Sequence, residues 1–461
     1  MSKVFVFGID GAAPRLLFDE WLDDLPTIKR LITTGISAKL NSTIPPSTIT
    51  AWNSMMSGRD TSELGVFSFT YKDKDGQTQI VNSNTIQCDR VWDILTQHGK
   101  KSIVLYNPLT YPVTPINGVM VSGFLALGPD SKSTSSQDIT DKIKQFDHPD
   151  MFFDVAVGLG RHKALDTGEL IKRVYTMTDM QLTLLKDFLI NNEWDFFHSV
   201  MIGTDRLQHM LWHHFDEGHR KFIKDSLYKD ALKNYYKYLD TKLAELITLL
   251  PEGTTTIVVS DHGMVGQKGK ININNWLIDK GYLVLTDDAK NTIKEGKVRF
   301  KFEYVDLSKS KAFGAGAYNA RIFLNKNVLD EEYQQFQEKL VEELKSIPDD
   351  TGNLLDTKVY TKEVYNNPDH PECPDITVYF DDLRWASNPD LGQEGLYSWQ
   401  TAVGADSAGH ARQGIFIIAG DTVQKQERIA DIDIRQVAPT VLQLLDVPIP
   451  DTITVKPIIL Q

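Results

Sequence analysis

The stretch Val4-Phe-Val-Phe-Gly-Ile-Asp-Gly11 opens the sequence with a continuous apolar run that ends in glycine and an acidic residue. A short apolar run bounded by glycine is typical of a strand buried on both faces, as in a parallel sheet. The active sites of α/β proteins form at the carboxyl ends of such strands. Asp10 is therefore a candidate ligand, although a lone Asp in this place more commonly caps a helix.

Similar apolar runs recur along the chain and alternate with segments of helical spacing. The further predicted strands are 103–106, 118–121, 196–202, 254–259 and 415–419. The predicted helices are 25–34, 168–191, 228–250 and 330–346. Alternating strands and helices predict an α/β fold around a mostly parallel sheet.

Two segments differ from this alternation and are predicted to be insertions. Residues 128–166 are rich in Ser, Asp, Gly and Pro, which indicates a cap or lid rather than part of the sheet. Residues 381–400 form a second loop insertion whose aromatic side chains can stack on a base or a sugar, or can simply pack. We expect one catalytic domain over 1–461 with these insertions, not two independent domains.

The composition disfavours some classes of binding partner. The 461 residues carry a net charge of −13, from 49 basic and 62 acidic residues, which disfavours binding to duplex nucleic acid or to an anionic membrane. No window approaches the roughly 18 apolar residues of a membrane span. The two cysteines, Cys88 and Cys373, lack metal-type spacing, and the first apolar run is too short for a signal sequence. These features predict a cytoplasmic protein; they do not indicate its oligomeric state.

Two short motifs offer ligands for a cation. Ser260-Asp-His-Gly263 directly follows the predicted strand 254–259 and joins a carboxylate to an imidazole, both of which bind zinc. Asp205-Arg-Leu-Gln-His209 follows the strand 196–202; if a helix begins there, Asp205 and His209 lie one turn apart on one face. The alternatives are a polar turn for the first motif, and an acidic helix start with a surface histidine for the second.

Two more segments indicate a function only if such a cation lies next to them. In Pro45-Pro-Ser-Thr-Ile-Thr-Ala-Trp52, a loop enters a predicted helix whose N-terminus suits a phosphate. A nearby cation would turn a Ser or Thr hydroxyl at this helix start into a nucleophile; without one, Ser47 or Thr48 is simply a helix cap. His410 precedes the last predicted strand, where a lone histidine usually has no function.

Together these segments resemble the alkaline phosphatase superfamily, most closely its type I phosphodiesterase/nucleotide pyrophosphatase-like branch of predicted phosphohydrolases and phosphomutases. The family order is Asp, then Thr or Ser, then Asp-x-x-x-His, then Asp-His, then a late His. The order in this chain is Asp10, Thr48, Asp205 with His209, Asp261 with His262, and His410. The resemblance extends over nearly the whole chain and implies a three-layer α/β/α sandwich with an inserted cap.

The resemblance also implies a reaction and a set of roles. Thr48 would attack phosphorus and form a covalent phosphothreonine, in a metal-dependent hydrolysis of small phosphoric esters of the diester or nucleotide pyrophosphate type. Two divalent ions would be bound, most compatibly Zn²⁺, with Mn²⁺ as the alternative. The ligands would be Asp205, His209 and His410 for one ion, and Asp10, Asp261, His262 and the Thr48 oxygen for the other.

The chain departs from the family pattern in two places. Ser57-Gly58 replaces the Thr-Gly pair that follows the nucleophile, and counting puts Phe69 where diesterases usually carry an Asn that touches a phosphoryl oxygen. A phosphomonoesterase or phosphomutase of the same superfamily is therefore an alternative. A sulfatase is disfavoured because neither cysteine lies in a sulfatase motif. A non-catalytic, metal-stabilised binding protein is the remote alternative.

Overall fold

The structure is a computed structural model, and it describes residues 2–72, 77–156, 161–294, 296–399 and 406–460. Residues 157–160 of the predicted cap and residue 400 of the second predicted insertion lie outside the described residues.

The strands are, in chain order, β1 (Lys3–Ile9), β2 (Ile36–Asn41), β3 (Thr70–Lys72), β4 (Thr78–Ile80), β5 (Ser102–Leu105), β6 (Gly118–Val121), β7 (Phe196–Met201), β8 (Thr254–Val259), β9 (Gly263–Gly266), β10 (Gly269–Asn272), β11 (Ala312–Ala315), β12 (Ala320–Leu324), β13 (Lys358–Thr361), β14 (Ile376–Tyr379), β15 (Trp385–Asn388), β16 (Tyr397–Ser398), β17 (Ala408–Ala411), β18 (Gln413–Ala419), β19 (Glu427–Arg428) and β20 (Ile432–Asp433). The α-helices are α1 (Pro26–Thr34), α2 (Thr48–Ser57), α3 (Thr61–Leu64), α4 (Val91–Gln97), α5 (Gln137–Lys144), α6 (Thr167–Asn191), α7 (Gly203–Phe215), α8 (Ala231–Ile247), α9 (Ile273–Asp279), α10 (Asp287–Lys294), α11 (Lys326–Leu329), α12 (Tyr333–Lys345) and α13 (Val437–Leu444).

The chain divides into two compact units. The first contains the described residues of Met1–Glu217, Lys221–Met264 and Val403–Gln461, and the second those of Gly218–Arg220 and Val265–Ala402. All seven candidate site residues belong to the first unit. Whether the chain behaves as one domain with a cap, as the sequence predicts, stays a prediction.

The first unit is built on a large mixed sheet with the strand order β19-β2-β18-β8-β1-β7-β5-β6, to which β20 adds by pairing with β2. The pairs from β8 through β6 are all parallel, whereas β18 runs antiparallel to both of its neighbours. The predicted α/β fold with a mostly parallel sheet is confirmed. The carboxyl ends of β1, β7 and β8 lie side by side at one edge of this sheet.

Side chains of β1 alternate between two hydrophobic cores, because successive residues of a strand face opposite sides. Phe5, Phe7 and Ile9 join a core that includes α1, α6, α7 and α8. Val4 and Val6 join the core that includes α4, α13 and most of α2. Helices therefore cover both faces of the sheet, and this gives the three-layer arrangement.

The described part of 128–166 packs onto the first unit. Its buried apolar side chains belong to the same core as α6 and α7; they are Ile139, Ile143, Phe152, Phe153 and Val155. The segment thus carries its own apolar anchors despite its polar composition. Its action as a cap stays a prediction.

The second unit has a separate core and two sheets. One sheet is antiparallel with the order β11-β12-β14-β13, and the other has the order β15-β10-β16. Their side chains and those of α9 and α12 form one hydrophobic cluster. Residues 381–399 lie within this unit and contain β15 and β16. Among the described helices of both units, none has the length and apolar character required to cross a bilayer.

Candidate metal centre

The fold brings the seven candidate residues to the carboxyl edge of the central sheet. Asp10 follows β1, the Asp261-His262 pair follows β8, and Thr48 is the first residue of α2. Asp205 and His209 lie one turn apart on α7, and His410 lies on β17. All seven side chains are buried. Segments that are distant in sequence therefore meet in one place.

The first half of the site surrounds His262. One ligand atom each from Asp10, Asp261 and His262 lies within 4.8 Å of the others. The Nε2 atom of His262 is 3.1 Å from Asp261 Oδ2 and 3.8 Å from Asp10 Oδ1. The same Nε2 atom is 3.1 Å from Thr48 Oγ1. The threonine oxygen thus lies next to one of the three ligand atoms of this group.

The second half surrounds Asp205. Ligand atoms of Asp205, His262 and His410 also lie within 4.8 Å of one another. Asp205 Oδ1 is 3.4 Å from His209 Nε2 and 3.6 Å from His410 Nε2. The rings of His262 and His410 are stacked with centroids 3.7 Å apart. His262 thus belongs to both groups, so two ions held here would be close neighbours.

All three histidines direct the same ring nitrogen into the site. Their Nδ1 atoms face oxygen acceptors of the chain: Gly263 O at 3.0 Å from His262, Pro46 O at 2.8 Å from His410, and both Ala408 O and Asp406 Oδ1 at 2.9 Å from His209. Because a carbonyl oxygen can only accept, Nδ1 carries the hydrogen, and in the neutral ring Nε2 keeps its lone pair. Burial, together with the neighbouring His410, lowers the pKa of His262 well below its ordinary value. A neutral ring in this orientation is suited to bind a metal through Nε2.

Each of the three carboxylates has one oxygen that accepts a hydrogen bond and one, called bare below, that accepts none from the described residues. Asp10 Oδ2 accepts from Trp52 Nε1 at 2.8 Å, Asp205 Oδ2 from Arg206 Nη1 at 2.7 Å, and Asp261 Oδ1 from the Gly11 N–H at 3.1 Å. The second oxygens, Asp10 Oδ1, Asp205 Oδ1 and Asp261 Oδ2, are buried and accept no hydrogen bond from any described residue. Buried unpaired oxygens are rare in proteins, and bare carboxylate oxygens beside imidazole lone pairs form a donor set that fits cations.

The pKa values of the carboxyl groups differ in direction. Burial, reinforced by the charge of Asp205, raises the pKa of Asp10 well above its ordinary value. Burial and the charge of Asp10 do the same to Asp261. Burial also opposes ionisation of Asp205, but His209, His410 and Arg206 hold its pKa well below the ordinary range. Three negative charges cannot gather in this space without added positive charge, which divalent ions would provide.

The start of α2 leaves the Thr48 hydroxyl available to the site. Ser47 takes the N-cap position in extended backbone, and its side chain makes no capping hydrogen bond within the described chain. Thr48 is the next residue, and its hydroxyl donates to the lone pair of His262 Nε2. The interpretation of Thr48 as a helix cap therefore does not apply.

Several neighbours of the candidate residues were not identified from the sequence. Trp52 and Arg206 lie inside the motifs quoted above, but nothing in the sequence indicates that they bind Asp10 and Asp205. No sequence pattern indicated Asp406 or Asp154, because only the tertiary fold brings them to the site.

Phe69, which counting put where diesterases usually carry an Asn, packs edge-on against Phe124, with ring centroids 5.9 Å apart.

The chain is similar to one protein family in sequence and to several solved structures in fold. A family model for type I phosphodiesterase/nucleotide pyrophosphatase matches residues 4–405. Human ectonucleotide pyrophosphatase/phosphodiesterase 5 has a similar structure, with a TM-score of 0.56 and 14% identity over 97% of this chain and 96% of that one. An inactive variant of the murine protein, in complex with AMP, has a TM-score of 0.57 and 13% identity over 98% of this chain and 96% of that one. A search of curated proteins found no significant match.

Proposed function

The chain belongs to the type I phosphodiesterase/nucleotide pyrophosphatase family, within the alkaline phosphatase superfamily, and on this basis we propose that it hydrolyses phosphoric esters of the diester or nucleotide pyrophosphate type. One observation carries the proposal. Three bare, buried carboxylate oxygens lie among the Nε2 atoms of three histidines, and one of these nitrogens, that of His262, is 3.1 Å from the Thr48 hydroxyl. A family match alone would not require this donor set.

We assign the donors to two divalent ions. Asp205, His209 and His410 would hold one ion; Asp10, Asp261, His262 and the Thr48 oxygen would hold the other. The distances of 3.4 Å from His209 Nε2 and 3.6 Å from His410 Nε2 to Asp205 Oδ1 support the first set. The two groups whose ligand atoms lie within 4.8 Å of one another are Asp10-Asp261-His262 and Asp205-His262-His410; His262 is therefore shared, and His209 is not a member of either group. Mixed imidazole and carboxylate ligands suit Zn²⁺ best, and Mn²⁺ is the alternative.

The residues of the chain divide the chemistry between them. Thr48 Oγ1 would form a bond to phosphorus while the bond to the leaving alcohol breaks, and water would then hydrolyse the phosphothreonine. When bound, the ions supply positive charge that favours the ionised threonine oxygen and stabilises the phosphoryl oxygens in the transition state. The N-terminus of α2 adds backbone N–H groups and the positive end of a helix dipole beside Thr48.

The preference for a diester rests on the family and on one relative. The inactive murine variant is in complex with AMP, a nucleoside monophosphate, and this supports a small nucleotide as substrate. Phe69, an apolar side chain packed on Phe124, offers no amide to a phosphoryl oxygen. Another group must contact that oxygen, and a monoester remains the competing substrate.

A substrate panel tests the proposal. The full-length protein would be assayed with bis-p-nitrophenyl phosphate, p-nitrophenyl phosphate and a nucleotide sugar, each with added Zn²⁺ or Mn²⁺. We expect metal-dependent hydrolysis, fastest for the diester. Hydrolysis of the monoester alone would refute the diester assignment, and no hydrolysis of any substrate with either metal would refute the hydrolase.

We also propose a cytoplasmic location. Cys88 and Cys373 are not joined in a disulfide in the described chain, as expected in a reducing compartment. The acidic net charge of −13 favours a small phosphorylated substrate over duplex nucleic acid.

A further inference from the structure

Arg206 is a buried cation that contacts two carboxylates at once. Its Nη1 donates to Asp205 Oδ2 at 2.7 Å, while Nε and Nη2 donate to Asp154 Oδ1 and Oδ2, both at 2.9 Å. Its guanidinium carbon lies 4.6 Å from the ring centroid of Phe124, and its side chain is 6% exposed. The fork to Asp154 and the aromatic ring together fix the guanidinium in one position.

The contact between Asp205 and Arg206 requires this fixation. Consecutive residues of a helix point in different directions and do not normally face each other. Asp154, which lies outside α7 in the segment 128–166, binds the guanidinium through two parallel hydrogen bonds. A bidentate arginine–carboxylate pair of this kind is strongly directional. Arg206 can therefore turn its remaining N–H group towards the neighbouring Asp205.

We infer that Arg206, held by Asp154, is a positioning residue that orients Asp205 so that only Oδ1 faces His209 and His410. The inference rests on the proposed two-ion function and adds residues to which no role was assigned. It also gives the segment 128–166 a part in building the site, since that segment supplies Asp154.

The net charge of Arg206, Asp205 and Asp154 explains why Arg206 needs a second carboxylate beside Asp205. Arg206 paired with Asp205 alone would cancel the charge of a metal ligand. Because Asp154 neutralises the guanidinium, the group of three keeps one net negative charge. The bare Asp205 Oδ1 atom can then contribute that charge to a cation. The arrangement orients the ligand and leaves its charge available.

The test measures metal affinity rather than turnover. Full-length protein stripped of metal would be titrated with Zn²⁺ alone by calorimetry in competition with a chelator. We expect two equivalents for the wild type. In Arg206→Met, one equivalent should bind about 10- to 100-fold more weakly, the usual cost of losing a partner of a metal ligand, while the other is unchanged. Arg206→Lys, which keeps the charge but not the fork, should recover part of the loss.

Arg90→Met is the matched control. Arg90 is also buried in the first unit, where it pairs with Asp93 at 3.1 Å and lies over the Trp92 ring. Loss of this arginine should lower stability and leave both Zn²⁺ affinities unchanged. A general effect of removing a buried arginine would instead weaken Zn²⁺ binding in both variants and would overturn the inference.

Asp154→Asn covers the case in which Arg206→Met fails to fold. It leaves Arg206 in place but removes the charged fork, and should weaken the same Zn²⁺ equivalent by a smaller factor. A folded Arg206→Met or Asp154→Asn protein with two wild-type affinities would overturn the role of Arg206. A wild-type protein that does not bind two equivalents would refute the two-ion proposal itself, so the two failures are distinguishable.

Discussion

The hydroxyl of Thr48 lies 3.1 Å from the Nε2 atom of His262, although 214 positions separate the two residues in the sequence. The contact joins the N-terminus of α2 to the turn after β8. The same Nε2 atom lies 3.1 Å from Asp261 Oδ2 and 3.8 Å from Asp10 Oδ1, two oxygens without a hydrogen-bond partner among the described residues. One histidine nitrogen therefore links the proposed nucleophile to the proposed metal ligands.

Thr48→Ala should abolish hydrolysis while the fold and both metal equivalents persist. The variant removes the atom that would bond to phosphorus, and we expect kcat to fall on the order of 10³-fold or more. Hydrolysis of bis-p-nitrophenyl phosphate, with elemental analysis of the same sample, measures both quantities. Thr48→Ser should restore part of the activity because it restores the hydroxyl.

Thr50→Ala is the control for that experiment. Thr50 is buried in the same helix turn, and its hydroxyl donates to Val66 O at 3.1 Å. Its loss should cost about 1 kcal/mol of stability and leave turnover unchanged. Wild-type turnover in Thr48→Ala would disprove the nucleophile, and an equal loss in both variants would mean that the helix, not Thr48, had been damaged.

His410→Ala should selectively weaken one of the two metal sites. The Nε2 atom of His410 lies 3.6 Å from Asp205 Oδ1, and its Nδ1 is held by Pro46 O. Without the imidazole, we expect elemental analysis to find about one zinc equivalent instead of two. His214→Ala is the control, because His214 is a buried histidine of α7 that bonds to Ser226 instead. Two full equivalents in His410→Ala would contradict its assignment as a ligand.

The central sheet was predictable because buried strands leave a strong sequence pattern. The run that begins at Val4 and the run 254–259 became β1 and β8 with small or no shifts at the ends. The direction of β18 was not predictable, since an apolar run reads alike in a parallel or an antiparallel pair. The strands β10 to β16 were not predicted, because they are only two to five residues long and leave a weak sequence pattern.

The candidate site was predictable only where residue order carries information. The Asp261-His262 pair follows a strand, and Asp205 and His209 share a helix face, so local patterns and the family order identified them. Asp154 and Asp406 reach Arg206 and His209 from distant segments. No periodicity connects such partners, because their meeting depends on tertiary packing alone.

Trp52→Phe should weaken metal binding although Trp52 would not touch a metal. Its indole N–H donates to Asp10 Oδ2 at 2.8 Å and leaves Oδ1 bare for the site. Phenylalanine keeps an aromatic ring but frees Asp10 to rotate, so we expect a loss of roughly 10-fold in the affinity for one equivalent. Zn²⁺ titration of the stripped protein measures this effect.

Trp92→Phe is the control for Trp52→Phe. Trp92 is fully buried in the same core, and within the part of the chain described its indole N–H has no hydrogen-bond partner. The substitution therefore removes ring volume without removing a bond. A similar loss of Zn²⁺ affinity in both variants would attribute the effect to packing and would exclude the role of the Trp52 N–H.

His198→Gln should make the protein less sensitive to acid. Burial lowers the pKa of His198 to about 3, against 6.5 for an ordinary histidine. Its ring lies among Trp52, Trp92 and Phe196, and Nε2 donates to Asn107 Oδ1 at 3.0 Å. Above pH 6.5 both the folded and the unfolded chain keep this ring neutral, and stability is at its full value.

As the pH falls from 6.5 towards 3, the unfolded chain binds a proton at His198 that the folded chain cannot, so stability is lost. Between about pH 7 and about pH 5 this loss amounts to roughly 2 kcal/mol. Denaturant unfolding of both proteins with a chelator present, so that metal release contributes equally, should show a decrease smaller by that amount in His198→Gln, whose amide can still donate to Asn107. If the two proteins lose the same stability over this range, His198 is not a source of the acid sensitivity, and its ring must be able to take a proton within the folded core.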